Sequence, residues 1–235
     1  MTVEEVLIEL KSLSDPNTKK TMMKHGVQEP LFGVKIGEMK KILKKTKKNH
    51  DLSLGLYRTG NADAMYLAGL MADEKKINKQ DLEEWVLAAN SSYIRDYAVP
   101  WVASETPYGF QLGLEWIDSA SENIATAGWA TLSSIASITP DDQLDIPKYE
   151  LLLQRISKEI HSERNCVRKA MNSFIISVGC YITELTDSAK KVANQIGEVE
   201  VDEDGTKCKV PSANAYIDKV IAKGYLGKKR KEARC

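Results

Sequence analysis

Residues 35–48 read Lys35-Ile36-Gly37-Glu38-Met39-Lys40-Lys41-Ile42-Leu43-Lys44-Lys45-Thr46-Lys47-Lys48. Ile36, Met39, Ile42 and Leu43 recur at the spacing of one helix face, which predicts an amphipathic helix over this stretch. Its polar side is dominated by lysine: Lys40, Lys44, Lys47 and Lys48 fall together, with Lys41 and Lys45 on a neighbouring side. Like charges at that spacing repel, so the clustering costs helix stability unless an anion offsets it. Two readings stand side by side: a solvated surface, or a patch that contacts phosphates with little sequence preference and strong salt dependence.

Working outward towards the N-terminus, a loop containing Pro30, Gly33 and Gly37 precedes the lysine helix. Before it, Ser14-Asp15-Pro16 caps a helix that stops at His25-Gly26. Thr2-Val3-Glu4-Glu5 is a capping box that starts the first helix, which runs to about Leu13. Towards the C-terminus, helical patterns recur near 52–58, 62–73, 79–89, 93–104, 107–119, 121–137, 147–161, 164–181, 185–196 and 212–223. Short linkers bearing Gly, Asn, Asp, Ser or Pro separate them. The expected fold is therefore all-α: a HEAT-like or ARM-like α-α superhelix of stacked antiparallel helix pairs over 1–224, with a plain helical bundle as the alternative.

One segment departs from this period. Glu198 to Val201 and Thr206 to Val210 alternate polar and apolar residues on either side of Asp204-Gly205, predicting one small β-hairpin insertion near 198–210. The basic tail, 225–235, is expected to fray and offers a second candidate phosphate-binding patch.

With 33 basic and 33 acidic residues the formal net charge is zero, so only the placement of charge can speak to partners. Cys166, Cys180, Cys208 and Cys235 show no CxxC pair, and the three histidines, His25, His50 and His161, show no ligand spacing. Neither a metal nor another cofactor is expected. Glycine-rich dinucleotide fingerprints, phosphate loops and GxSxG elbows are missing from the sequence, which leaves nucleotide-dependent chemistry and serine hydrolysis without support. The N-terminus lacks a signal-peptide pattern, and no apolar run approaches the roughly 18 residues of a membrane span, so a cytoplasmic location and no membrane partner are expected.

The middle of the chain is more distinctive. Ser91 to Trp101 sets Asp96 in an aromatic-rich helix, and Ala127-Gly128-Trp129-Ala130-Thr131 forms a comparable patch further on. A groove-facing Asp96 stabilises a developing cation or positions a water; otherwise it pairs with Arg95. Trp85, Trp101, Trp116 and Trp129 read mainly as wedges between helices, with one or two available to stack on sugar or base.

Taken with the segments Lys24 to Gly26, Phe32 to Lys35, Ala127 to Ser134 and Arg164 to Cys180, the chain resembles the DNA alkylation repair family, the AlkD-type HEAT-like repeat proteins. That resemblance implies duplex DNA bound in a concave positive groove, and excision of cationic N3- or N7-alkylated purines without a metal. It assigns the catalytic aspartate to Asp96. At three other positions the chain departs from the active pattern: Ser92 and Gly128 and Ser173 stand where tryptophan, arginine and a second tryptophan are found. The chain therefore looks like a divergent AlkF/AlkG-like branch, for which DNA binding is implied more firmly than catalysis.

The reading is a DNA-binding HEAT-like protein acting in DNA repair or recognition of damaged or unusual DNA, with weak or no glycosylase activity and a monomeric state. Contacts are expected from Lys40, Lys44, Lys47, Lys48, Lys207, Lys209, Tyr93 and Trp129. An alkylpurine DNA glycosylase using Asp96, and a protein-binding helical solenoid, are the rival readings.

Overall fold

A computed structural model describes residues 1–202 and 210–234. The chain divides into two compact units, Met1–Tyr108 together with Arg234, and Gly109–Ala233.

The first unit contains α1 (Val3–Ser12), α2 (Pro16–Lys24), α3 (Ile36–Thr46), α4 (His50–Arg58), α5 (Ala62–Met71) and α6 (Lys79–Ala88). A π-helical turn, Ile94–Ala98, then leads directly into α7 (Val99–Ser104). Local sequence accounts for the starts. The Thr2 amide donates to Glu5 Oε2 at 2.9 Å while the Glu5 amide donates to Thr2 Oγ1 at 3.2 Å, so two amides left over at the helix start are satisfied reciprocally. Asp15 caps α2 by accepting from the Thr18 amide at 2.7 Å, with Pro16 as first helical residue.

All ten residues of α5 are buried, as expected of a helix apolar all round, and it forms the centre of the unit. Its single acid, Asp63, is 0% exposed and organises the loop before α3. The carboxylate accepts the backbone amides of Phe32 (2.6 Å), Gly33 (3.0 Å) and Val34 (2.8 Å). Three donors compensate a charge that would otherwise be costly to bury. Gly33 has φ +81°, and a Cβ there would lie 2.5 Å from the Lys19 Cβ, so only glycine fits this turn. These interactions fix the point at which α3 begins.

The second unit contains α8 (Gly109–Trp116), α9 (Glu122–Ile138), α10 (Ile146–Glu159), α11 (Asn165–Tyr181), α12 (Thr186–Ile196) and α13 (Ala213–Ala222). α9 packs on α8 and α11, and α11 in turn packs on α12 and α13. α9 and α11 run in the same direction, the Cys166 amide donating to Glu122 Oε1 at 2.6 Å at their starts and Ser137 and Cys180 lining one cavity at their ends. Trp129, Tyr149 and Phe174 form its aromatic centre, with the Tyr149 and Phe174 rings stacked at 5.7 Å.

The helices match the periodicity in order and length. The hairpin near 198–210 is not borne out: residues 198–202 and 210 form no strand, and 203–209 lie outside the described residues. The groups a ladder needs are engaged elsewhere, because the Asp202 amide donates to Asn165 Oδ1 (2.8 Å) and its carbonyl accepts from Asn165 Nδ2 (2.7 Å), while Val199 is buried in the core. Among the described residues the β pairing is limited to an isolated bridge between Ser14 and Val34. The tail is also not frayed. The Gly227 amide donates to Cys180 O (2.9 Å) and the Arg230 amide to Ser137 O (2.8 Å), so residues 225–230 cover the ends of α9 and α11.

Candidate nucleic-acid interface

α3 buries Met39 and Ile42 and exposes Lys40, Lys41, Lys44 and Lys45. Several lysines of this stretch are already neutralised: Lys35 by Asp15 (2.9 Å), Lys41 by Glu38 (2.7 Å), Lys45 by Glu9 (2.6 Å) and Lys48 by Glu74 (2.7 Å). Glu74 also pairs with Arg234 at 3.2 Å. Lys40, Lys44 and Lys47 are exposed and form no ion pair with any described residue. Lys47 stands at the C-cap of α3 with φ +57°, its amide donating to Leu43 O at 2.7 Å. The positive strip is therefore narrower than the sequence implies, and Lys48 is half of an ion pair. Surface pairs of this kind contribute roughly 0–1 kcal/mol, so a phosphate competes for Lys48 at modest cost.

Asp96 lies in the π-helical turn, which is held tightly against α5: a Cβ on Gly69 would meet the Ala98 Cβ at 2.7 Å. The carboxylate is engaged at both oxygens by its neighbour. Arg95 Nε donates to Oδ1 at 2.6 Å and Nη2 to Oδ2 at 3.3 Å, with side chains 13% and 21% exposed. A carboxylate gripped in this way is compensated internally, and its capacity to face a cationic base falls accordingly. Tyr93 is partly buried against the cluster of Met22, Val27, Leu31 and Ala62 and meets the Tyr66 ring edge-on at 6.4 Å, while it still lines a surface cavity with Asp15 and Lys35. Tyr97, which sequence reasoning did not select, is 49% exposed beside Asp96. Helical spacing cannot separate these two tyrosines, because the π turn changes the direction in which each side chain leaves the backbone.

Trp129 requires correction as a DNA contact. It is 0% exposed, meets Phe174 edge-on at 5.1 Å, and lies inside the core of the second unit. Gly128, where the family resemblance puts an arginine, has no room for one. A Cβ there would lie 2.7 Å from Ile117 N and 2.9 Å from Gly113 O, so close helix–helix packing excludes any side chain. Ser173, by contrast, is exposed on α11. Lys207 and Lys209 lie outside the described residues. The tail cations Lys229 and Arg234 are engaged, Lys229 with Asp141 (2.7 Å) and Arg234 with Glu74 and Glu105 (3.0 Å), which removes them from a free basic patch. Among the described residues no group of three His, Cys, Asp or Glu side chains is placed to hold a metal, and no helix is long and apolar enough to cross a membrane.

Stacked helix pairs with a lysine strip on one helix and a half-buried, arginine-paired aspartate define an all-helical repeat protein. Its relationships are specific. The chain belongs to the DNA alkylation repair enzyme family, whose profile matches residues 6–190. It is 32% identical over 224 residues to an uncharacterized protein of Listeria innocua serovar 6a, covering 93% of this chain and 97% of that one. An uncharacterized protein of Listeria monocytogenes serovar 1/2a is similar to the same extent. A solved structure from a family described as related to the HEAT-like repeat DNA glycosylases, with affinity for branched DNA structures, matches over 100% of both chains with a TM-score of 0.93 and 35% identity.

Proposed function

We propose that this protein binds branched or damaged DNA through sequence-independent phosphate contacts and has weak or no glycosylase activity. The observation that carries the reading is the pairing of lysines on α3. A strip bearing Lys40, Lys44 and Lys47 without ion-pair partners among the described residues retains the local positive charge that a neutral total conceals. Lys48 joins it by exchanging Glu74 for phosphate, and Lys207 and Lys209 are proposed as further phosphate contacts. The family and the affinity of the structural relative for branched DNA support DNA as the ligand of this strip.

Weak excision is read from other residues. Arg95 holds both oxygens of Asp96, so a cationic base would meet no open carboxylate, and position 128, where the family resemblance puts an arginine, admits no side chain. The test is binding of a four-way junction and of a matched linear duplex, with the triple substitution Lys40→Gln, Lys44→Gln, Lys47→Gln. Junction binding by the native protein, weakened tenfold or more in the variant, supports the assignment; equal binding by both proteins refutes it. A second reading, an alkylpurine glycosylase, draws on the partial exposure of Asp96 beside Tyr97. It requires release of methylated purine from alkylated DNA, abolished by Asp96→Asn.

A further inference from the structure

The second unit holds a cavity of about 470 Å³ beside the last turns of α9 and α11, closed also by α13 and the returning tail. Gly224 (φ +67°) and Gly227 (φ +72°) turn the chain back after α13. The tail is then tied down: beyond the amide bonds of Gly227 and Arg230, Lys229 Nζ donates to Ala136 O at 2.8 Å and pairs with Asp141. Lys229 thus faces the helix ends, whereas its neighbours Lys228 and Arg230 line the cavity.

The lining is a set of donors. Ser134, Ser177, Tyr181, Tyr216 and Tyr225 supply hydroxyls, Lys228 and Arg230 supply full positive charges, and no described lining residue is acidic. Ser134 and Ser177 hydroxyls have no hydrogen-bond partner among the described residues. Lys228 Nζ lies 4.7 Å from the Tyr225 ring centroid, a cation–π contact that fixes the ammonium beside the cavity. Three helix C-termini, those of α9, α11 and α13, oppose an anion here, each with a partial charge of roughly −0.5. The tail amides and Lys229 already satisfy carbonyls there, and Lys228 brings its cation to the lining beside Arg230. Burial pushes the Cys180 thiol on the wall up to about 11, so it adds no negative charge at physiological pH.

We infer that this cavity binds a nucleoside monophosphate, its phosphate between Lys228 and Arg230 and its base against the tyrosine rings. The volume exceeds what a bare phosphate needs and falls within the range of small-molecule sites, about 300–1,000 Å³. Tyrosine faces suit the stacking of any base. The nucleotide comes either free or as the phosphorylated end of a DNA strand, and only the strand-end source rests on the DNA-binding reading.

Calorimetric titration of the full chain with dAMP and with deoxyadenosine tests the inference, alongside the double variant Lys228→Met, Arg230→Met. Thermal melts confirm that the variant is folded, and Tyr225→Leu provides an independent variant that keeps both cations. The inference predicts dAMP binding at least tenfold tighter than deoxyadenosine, a tenfold or greater loss in the double variant, and a smaller loss in Tyr225→Leu. Equal binding of dAMP and deoxyadenosine, or dAMP binding indifferent to the double variant, overturns it. Failure of dAMP to bind while junction DNA still does overturns this inference alone. A preference for 5′-phosphorylated over 5′-hydroxyl junction arms, lost in the double variant, assigns the cavity to strand ends; dAMP binding without that preference assigns it to free nucleotide.

Discussion

Asp63 shows how much one side chain organises. Its carboxylate ties down three successive amides of the loop that starts α3, so replacing it leaves three buried donors unsatisfied. At about 1–3 kcal/mol for each orphaned group, Asp63→Ala is expected to cost at least about 3 kcal/mol, measured by urea unfolding. Asp15, which caps α2, behaves differently. The Thr18 amide, and then Lys35, hold its carboxyl down at about 2, below the usual 3.8. A depressed value means the carboxylate favours the folded state above the unfolded value, and that contribution is lost as pH falls through about 2. NMR titration of the Asp15 carboxyl carbon is expected to show a midpoint near 2, moved upward in Lys35→Met. Trp129 belongs to the same scale. Trp129→Ala is expected to cost about 3–5 kcal/mol as a core truncation, while a folded Trp129→Phe binds DNA like the native chain.

At the level of elements, α8 and α9 meet through Gly113 and Gly128, leaving no room for a side chain at 128. Gly128→Arg therefore separates two helices and is expected to lower the melting temperature by several degrees or prevent folding, with no gain of excision by the glycosylase assay. α3 carries the opposite lesson. Its register was legible because Met39 and Ile42 must face α5, and that placed every lysine on the outside. Which lysines remain available was not legible: Glu9 and Glu74 lie far away in sequence, and only folding brings them to Lys45 and Lys48. The same reason hid the Asp63 loop clasp and the tail clasp, both made by partners distant along the chain. The hairpin pattern misled because alternation records which residues alternate in polarity, and says nothing of Asn165 competing for the backbone of Asp202.

For the whole molecule, helix order and length are enough to define the fold, since each amphipathic segment must bury one stripe against its neighbours. Function is less determined by fold. The family tie gives DNA as the context, and the local state of a few residues argues for binding over excision: Asp96 paired, Trp129 buried, position 128 closed. On the proposed reading, a neutral chain that binds a polyanion does so through a small number of uncompensated cations, so its salt dependence should be countable contact by contact. The most direct test is fluorescence anisotropy of a labelled four-way junction across a series of salt concentrations, for the native protein and the Lys40, Lys44, Lys47 triple glutamine variant. Removing three phosphate contacts should flatten the slope of log K against log salt by about 2.7, at about 0.9 per contact. An unchanged slope in the variant, or native binding that does not respond to salt, contradicts the account.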